Sequence, residues 1–444
     1  MSTPLVAWVV LAVSSFGFSL TLWGTVGVIR WFGELKDRRM GRLVVAPDQR
    51  VTLADVAVLI PAHNETLVIA DTVAAITRLV PRHQVHVVSD GSKDDTAALA
   101  RAAGVNVLEI PVAGGKAKAL KTGIEHFALR ERFKEVLLLD ADTRLDDQYF
   151  AVALPLFDDP GVSSVAGCAA TAWDTGERGI RGLKGRMLTA HRDRTYWLFQ
   201  RLVKYGQCWK HANVAAIVPG FASMYRTSIL DKIDIDAPGM VIEDFNMTFE
   251  LHHRKLGRVA FSPLALAYTQ DPHRMKDYYK QVRRWALGFW QTVRQHGLWL
   301  GKFWASMVIT VFELITSSLS LLLAVFAVLV LGIGDLFPTT VGQIGPFAAV
   351  DEFISSNFSY QLIAIGILLP DYALTVVVSL IKRRPLYLLV GLLFVPMRVV
   401  DGIAILISLP KAWFVQSTGR WVSPERQATG AAALRDTEPV TTAA

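Results

Sequence analysis

In the stretch EVLLLDADTRLDD (135–147), an apolar run ends on Asp140 and Asp142. In an extended segment, side chains two apart point to the same side. Two carboxylates on one side suit a hard divalent cation, and Mg2+ or Mn2+ binds through one or two carboxylates plus substrate phosphates. The competing reading is a solvated acidic turn, which is the first reading for Asp146 and Asp147. Lys116 and Lys118 follow Gly114-Gly115 at a helix start and could bring positive charge to the same diphosphate. The GGK run is not a P-loop, because the GxxxxGK[ST] spacing is missing, and no GxGxxG is present to support a dinucleotide dehydrogenase. In MVIEDFNMTFELHHRKLG (240–257), Asp244 stands at a helix start and serves either as general base or as a simple cap. His252 and His253, farther along, read as solvated helix residues rather than metal ligands. In YYKQVRRWALGFWQTVRQHG (278–297), aromatics alternate with Lys and Arg at helical spacing, the pattern of an amphipathic helix in a bilayer interface. Its Trp285 offers a flat apolar ring, which suits the CH face of a sugar.

These residues need elements to hold them. DVAVLI (55–60), QVHVVS (84–89), VNVLEI (105–110) and EVLLL (135–139) are short β-rich runs. Helical stretches at about 66–79, at about 95–103 and from Gly114 to about 130 separate them. The alternation predicts a mainly parallel sheet covered on both faces, an α/β domain. Ligands of such sheets gather at the carboxyl ends of the strands. PAHNE, DGS, GGKAKAL and DADT all fall there.

The chain has 444 residues, 52% of them hydrophobic, and the apolar excess is concentrated. Leu5–Ile29, Ser306–Gly332, Tyr360–Leu380 and Leu386–Leu409 are each long enough to cross about 30 Å of hydrocarbon as a helix. Glu313, Asp371, Arg398 and Asp401 interrupt the last three. Leu5–Ile29 is too long for a cleaved signal peptide, lacks a basic leader, and is followed by Arg30, Lys36, Arg38, Arg39 and Arg42. That asymmetry places the N-terminus outside and the charged domain in the cytoplasm of a multi-pass protein of the cell membrane. Four full crossings would put the basic tail 411–444 outside, so the last segment is re-entrant or a fifth crossing is hidden. The net charge of +7 reads first as membrane-flanking Lys and Arg, with a basic groove for a phosphate-bearing substrate as the alternative. No basic run interleaved with aromatics points to nucleic acid. Cys168 and Cys208 read as reduced core thiols, too few for a disulfide framework or a zinc site.

PAHNE (61–65), DGS (90–92), GGKAKAL (114–120), DAD (140–142), PGFASMYR (219–226), ED (243–244), TQDP (269–272) and QVRRW (281–285) occur in one order over about residues 55–300. With that ordered set, the chain resembles the membrane-embedded processive family 2 glycosyltransferases, the group of cellulose, chitin, hyaluronan and poly-N-acetylglucosamine synthases. The resemblance implies a Rossmann-like GT-A cytoplasmic domain (45–275) after an N-terminal transmembrane helix (1–30). An interfacial helix with QxxRW (276–302), about three C-terminal transmembrane helices (303–410) and a partly disordered tail (411–444) would follow. It implies a nucleotide-diphosphate sugar as donor, bound by Pro61, Ala62, Glu65, Asp90, Lys116, Asp140 and Arg284. It implies a metal on Asp142 with Asp140, and Asp244 as base with Glu243 beside it. It implies a growing glycan acceptor at Trp285, Gln281 and Gly220. Ile242 stands where many members carry Thr, and no F-x-V-T-x-K gating loop follows QxxRW. TQDP and PGFASMYR look closest to the poly-N-acetylglucosamine synthases, which makes UDP-GlcNAc the expected donor.

Glycosyl transfer from a diphosphate needs charge stabilisation on the leaving group, a base for the acceptor hydroxyl, and passage through an oxocarbenium-like state. One base and one displacement invert the anomeric centre, so an α-linked donor gives a β-linkage. Two other readings stay open: transfer of a single sugar to a lipid or glycan, and a transporter or channel with a nucleotide-sensing domain. A narrow set of spans leaves room for a homo-oligomer or an accessory subunit.

Overall fold

The computed structural model of the chain describes residues 17–39, 50–171, 179–272, 274–339 and 344–414. One eight-stranded sheet organises the first half, in the order β3-β2-β1-β4-β7-β6-β8-β5. Strands β1 (Val56–Ala62), β2 (Val85–Asp90), β3 (Asn106–Ile110) and β4 (Glu135–Leu139) fall where the apolar runs predict them. They pair in parallel, with Ala62 beside Ser89 and Asp90 beside Ile110. β1, β2 and β4 are buried throughout, as strands covered on both faces must be.

The other half of the sheet keeps the mainly parallel order, with its two longest strands paired in parallel, but two strands are reversed. β7 (Ala222–Arg226) runs antiparallel to both β4 and β6 (Val162–Thr171), and β5 (Arg144–Leu145) runs antiparallel to β8 (Arg258–Thr269). The sheet is therefore mixed. β7 passes directly beside β4, and its carbonyl neighbour Phe221 accepts the Asp140 N–H at 3.0 Å. That pairing brings the segment around Gly220 to the end of β4.

The longer helices are α1 (Phe18–Arg39), α2 (Ile69–Ile76), α3 (Thr96–Ala102), α4 (Lys116–His126), α5 (Gly179–Leu198), α6 (Glu243–His253), α7 (Met275–His296), α8 (Lys302–Leu336), α9 (Gly345–Asn357), α10 (Leu369–Lys382) and α11 (Phe394–Phe414). α4 is shorter than expected: Ala128 adopts φ 49°, and a separate turn follows at Leu129–Arg132. Three segments are long and apolar enough to cross a membrane: Lys302–Leu336, Tyr360–Lys382 and Leu386–Phe414.

The expected N-terminal span lies only partly within the described residues: residues 1–16 are outside them, as are the 40–49 connection and the tail beyond 414. Gly17 has φ +69°, and α1 starts at Phe18. The Ser19 N–H, in the first turn of α1, donates to Glu313 Oε2 at 2.9 Å. Glu313, in the first C-terminal span, thus satisfies one of the donors that a helix start leaves open. Arg30 is buried rather than membrane-flanking. It donates to the Tyr205 and Phe261 carbonyls at 2.8 and 3.1 Å and lies 4.0 Å over the Tyr205 ring. At Gly206, an added Cβ would stand 2.1 Å from the Trp23 carbonyl oxygen, so only glycine lets α1 approach the domain this closely.

Candidate active site

The loops after β1, β2, β3 and β4 converge as the motif positions require. Pro61 and Ala62 end β1, and the buried Glu65 donates its N–H to Thr96 Oγ1 at 2.8 Å. Asp90, at the end of β2, accepts the Gly114 N–H at 2.8 Å and the Gly115 N–H at 2.7 Å. Its carboxylate therefore fixes the glycine loop that opens α4. Gly91 must be glycine, because φ is +61° and an added Cβ would lie 2.4 Å from the Ala113 nitrogen.

The glycine loop aims Lys116, the first residue of α4, into the centre. Its Nζ lies 2.7 Å from Asp140 Oδ1 and 2.9 Å from Glu243 Oε1, and it donates to the Gly220 carbonyl at 3.1 Å. One ammonium thus ties together α4, the end of β4, the turn before β7 and the start of α6. Burial alone would lower the Lys116 pKa, but the two carboxylates outweigh it and hold it raised. Burial pushes Glu243 up, and Lys116 more than offsets this, so Glu243 stays below its ordinary range. Asp140 remains raised by burial and by the neighbouring Asp142 charge, against the pull of Lys116.

Asp244 is held differently. Its Oδ2 accepts the Gly220 N–H at 3.1 Å and its Oδ1 accepts the Phe245 N–H at 2.8 Å. Neither bond is an N-cap bond to its own helix, since the cap position is Ile242 and makes no side-chain bond. Burial, with the charge of Glu243, pushes the Asp244 pKa up to about 6, against Lys116 and the two N–H donors. A carboxylate of that pKa accepts a proton more readily than an exposed aspartate. Ile242 has a packing reason of its own: an added Cβ on Gly288 of α7 would meet its side chain at 2.8 Å.

The QxxRW residues lie on α7. Arg284 is near enough to Glu243 to lower its pKa. Trp285 and Gln281 are half-buried and both meet Arg192 of α5, whose guanidinium carbon is 4.4 Å from the Trp285 ring centroid and which hydrogen-bonds Gln281 Oε1. The structure therefore brings Lys116, Asp140, Gly220, Glu243, Asp244 and Arg284 into one charged cluster, with Trp285 and Gln281 along the same helix. Among the described residues no group of three or more His, Cys, Asp or Glu forms a metal centre. Asp142 with Asp140 is a two-carboxylate set of the kind that needs substrate phosphates to complete a shell. Asp140 is already paired with Lys116, so Asp142 fits the ligand role better of the two.

Several surrounding residues depart from the expectations. His252 is not solvated: its Nε2 donates to the Ala215 carbonyl at 3.0 Å and its ring stacks on Phe303 at 4.3 Å. His253 is exposed, as expected, and stacks on Trp299 at 4.5 Å. Trp290 is 1% exposed, and its Nε1–H donates to the Ile405 carbonyl at 3.1 Å, so it packs helices rather than anchoring in lipid headgroups. The sequence reading passed over His191, Arg192, Asp193 and Arg194 of α5 altogether. The signal was a run of four charged or titratable residues inside an otherwise mixed helix.

The model of the family described as "Glycosyltransferase like family 2" matches residues 54–288. The chain belongs to that family. The match covers the sheet, the clustered loops and α7 through Gly288, and the domain has the GT-A arrangement. A Bacillus subtilis (strain 168) protein named "Probable glycosyltransferase YdaM" is 29% identical over 249 residues, 53% of this chain and 55% of that protein. The poly-beta-1,6-N-acetyl-D-glucosamine synthase of Staphylococcus aureus (strain COL) is 26% identical over 249 residues, 54% of this chain and 56% of that one. The chain thus spans about half the length of the curated relatives it matches. A solved mannosyltransferase of Pyrobaculum calidifontis, in complex with GDP-Man and Mn2+, is similar at 16% identity and a TM-score of 0.49, over 88% of this chain and 99% of that one.

Proposed function

We propose that this family 2 glycosyltransferase uses a nucleotide-diphosphate sugar to extend a β-linked glycan at the membrane by single, inverting displacements. One observation carries the reading. Asp244, a carboxylate with its pKa pushed up to about 6, stands beside a half-buried lysine and a two-aspartate strand end, with an indole ring on the neighbouring helix. The acceptor hydroxyl would lose its proton to Asp244, and Lys116 and Arg284 would face the leaving diphosphate. Asp142, assisted by Asp140, would hold Mg2+ or Mn2+, which would neutralise charge growing on that diphosphate. Pro61, Ala62, Glu65 and Asp90 shape the donor end; Gly220, Gln281 and Trp285 shape the acceptor end. The staphylococcal relative's name favours UDP-GlcNAc as donor and a poly-N-acetylglucosamine product. The three apolar helices favour a multi-pass protein of the cell membrane that passes its product outward.

The test is to incubate the purified full chain in nanodiscs with UDP-GlcNAc, UDP-Glc and GDP-Man, each with Mg2+ or Mn2+. Released nucleoside diphosphate and product length are measured. Release with UDP-GlcNAc and a ladder of long products is expected. A product carrying one added sugar would replace polymerisation by single transfer. No release with any donor would remove the enzymatic reading.

A further inference from the structure

Arg192 lies where α5 passes under α7, and it is 4% exposed. Its guanidinium carbon is 4.4 Å from the Trp285 ring centroid, 4.9 Å from that of Tyr278 and 5.6 Å from that of Tyr196. It also hydrogen-bonds the Gln281 side-chain carbonyl. A cation on one ring face fixes the plane of the indole and leaves the other face to an apolar partner. The Nε of the same guanidinium lies 4.0 Å from Oδ1 of Asp271, which follows β8 and is 7% exposed. Arg192 Nε and Asp271 Oδ2 have no hydrogen-bond partner among the described residues. Buried polar atoms of charged groups are costly to leave unbonded. Both atoms are closed to solvent behind the Trp285 ring, so the pair bears on an acceptor through the Trp285 and Gln281 side chains that Arg192 holds.

We propose that Arg192 and Asp271 are positioning residues of the acceptor subsite: Arg192 sets the Trp285 ring and the Gln281 amide, and Asp271 holds the charge of Arg192 in place. Gln281 and Trp285 supply the edge and the flat face; the buried pair beneath them fixes how both are presented. The inference rests on the glycosyltransferase reading above. It predicts that damage to the pair is felt by the acceptor and not by the donor, because Lys116, Glu243 and Asp244 do not touch it.

The experiment compares Arg192→Lys, Arg192→Gln and Asp271→Asn with the parent in nanodiscs. Donor turnover is followed with chito-oligosaccharides and cello-oligosaccharides as added acceptors. Donor affinity, acceptor KM, kcat and the ratio of transfer to donor hydrolysis are each scaled to folded protein. Expected is a rise in acceptor KM on the order of tenfold or more, a shift from transfer toward hydrolysis, and unchanged donor affinity. Asp271→Asn keeps shape and should be milder than Arg192→Gln, while Arg192→Lys keeps charge but loses the planar fork. A pair that merely bridges a buried water would lower the folded fraction and leave acceptor KM unchanged in what remains, and that result overturns the proposal. So does a parallel loss of donor affinity. A parent that releases no nucleotide from any donor would fail at the earlier step, and turnover of the parent keeps the two failures apart.

Discussion

At the scale of single residues, the site divides two adjacent carboxylates by their partners. Glu243 pairs with the Lys116 ammonium at 2.9 Å and stays ionised, while Asp244 has N–H groups as its hydrogen-bond partners and is pushed up to about 6 by burial and the Glu243 charge. The pair is thus a fixed anion next to a proton acceptor, although the sequence alone gives two acids in a row. Asp244→Asn should lower turnover by ~10²–10⁴, the usual worth of a positioned base, with donor affinity near the parent's. Asn keeps the shape at Gly220 and Phe245, so folding should survive. The groups facing Asp244 are Glu243, Lys116 and the two N–H donors, with the buried Tyr225 and Lys204 close enough to feel its charge. Because the base acts as the carboxylate, kcat/KM should fall as pH drops through about 6 and level off above it. A profile without that limb in the parent would move the base elsewhere. Asp142→Asn, and separately chelation of the parent, should each abolish turnover while the thermal unfolding of the domain stays within a degree or two. Full turnover in chelator would detach "DADT" from metal binding. The chemistry was legible here because strand ends and glycine loops have few alternatives. What the sequence could not give is that Asp140 would be claimed by Lys116, since that depends on where α4 points after Gly115.

At the scale of elements, α5 is the piece that sequence patterning hid. Four consecutive residues reach four neighbours. His191 lies 3.3 Å from Asp401, and Arg192 meets α7. Asp193 takes Lys382 at 2.5 Å and a bond from Tyr387, and Arg194 takes Asp371 at 2.7 Å. Read as a string, HRDR looks like a solvated charge run, because nothing local says that every side of the helix will be covered. For Asp371, Arg398 and Asp401, pairing with one another is a natural reading of charges inside apolar segments. Asp371 and Arg398 do pair, at 2.9 Å, but Arg194 shares the carboxylate, and Asp401 is taken instead by His191 and by Tyr278 at 2.7 Å. The strands of the second half of the sheet are hidden for a related reason: β6 mixes Ser163, Ser164 and Gly167 with its apolar residues, and β8, parallel to it, contains Pro263. Their strand character comes from pairing partners more than from local propensity. A buried carboxylate with two guanidiniums is costly to break from its own side. Asp371→Asn should therefore destabilise by about 3–5 kcal/mol, read as a lower unfolding temperature in detergent. Arg398→Gln should cost clearly less, because Arg194 still neutralises Asp371. Equal losses would mean that Arg194 contributes nothing to the cluster.

At the scale of the whole molecule, the last helical segment decides where the chain ends. Leu386–Phe414 is long and apolar enough to cross a membrane. Its polar contacts also tie it to helices of the glycosyltransferase domain. Tyr387, near its start, bonds Asp193 of α5. Asp401 meets His191 of α5 and Tyr278 of α7, the Ile405 carbonyl accepts from Trp290, Ser408 lies 3.4 Å from the Arg283 carbonyl, and the Ala412 carbonyl accepts from Arg294 at 2.5 Å. The segment also packs along the other two candidate spans: Arg398 pairs with Asp371 of α10 at 2.9 Å, Val395 and Val399 pack on the cluster that holds Leu321 and Ala324 of α8, and a Cβ added at Gly402 would stand 3.4 Å from Ser318 of α8. It is thus shared between the spans and the domain, and charge asymmetry decides the expectation: basic residues beyond 414 favour the domain's side, which requires this segment to be re-entrant. The expectation is testable in sealed cells, in a background where Cys168 and Cys208, both buried, are replaced by Ala. A cysteine introduced at position 347 should react with an impermeant maleimide, and cysteines introduced at 125 and 425 should react only after the membrane is opened. Reaction at 425 to the same extent as at 347 would show that Leu386–Phe414 crosses after all.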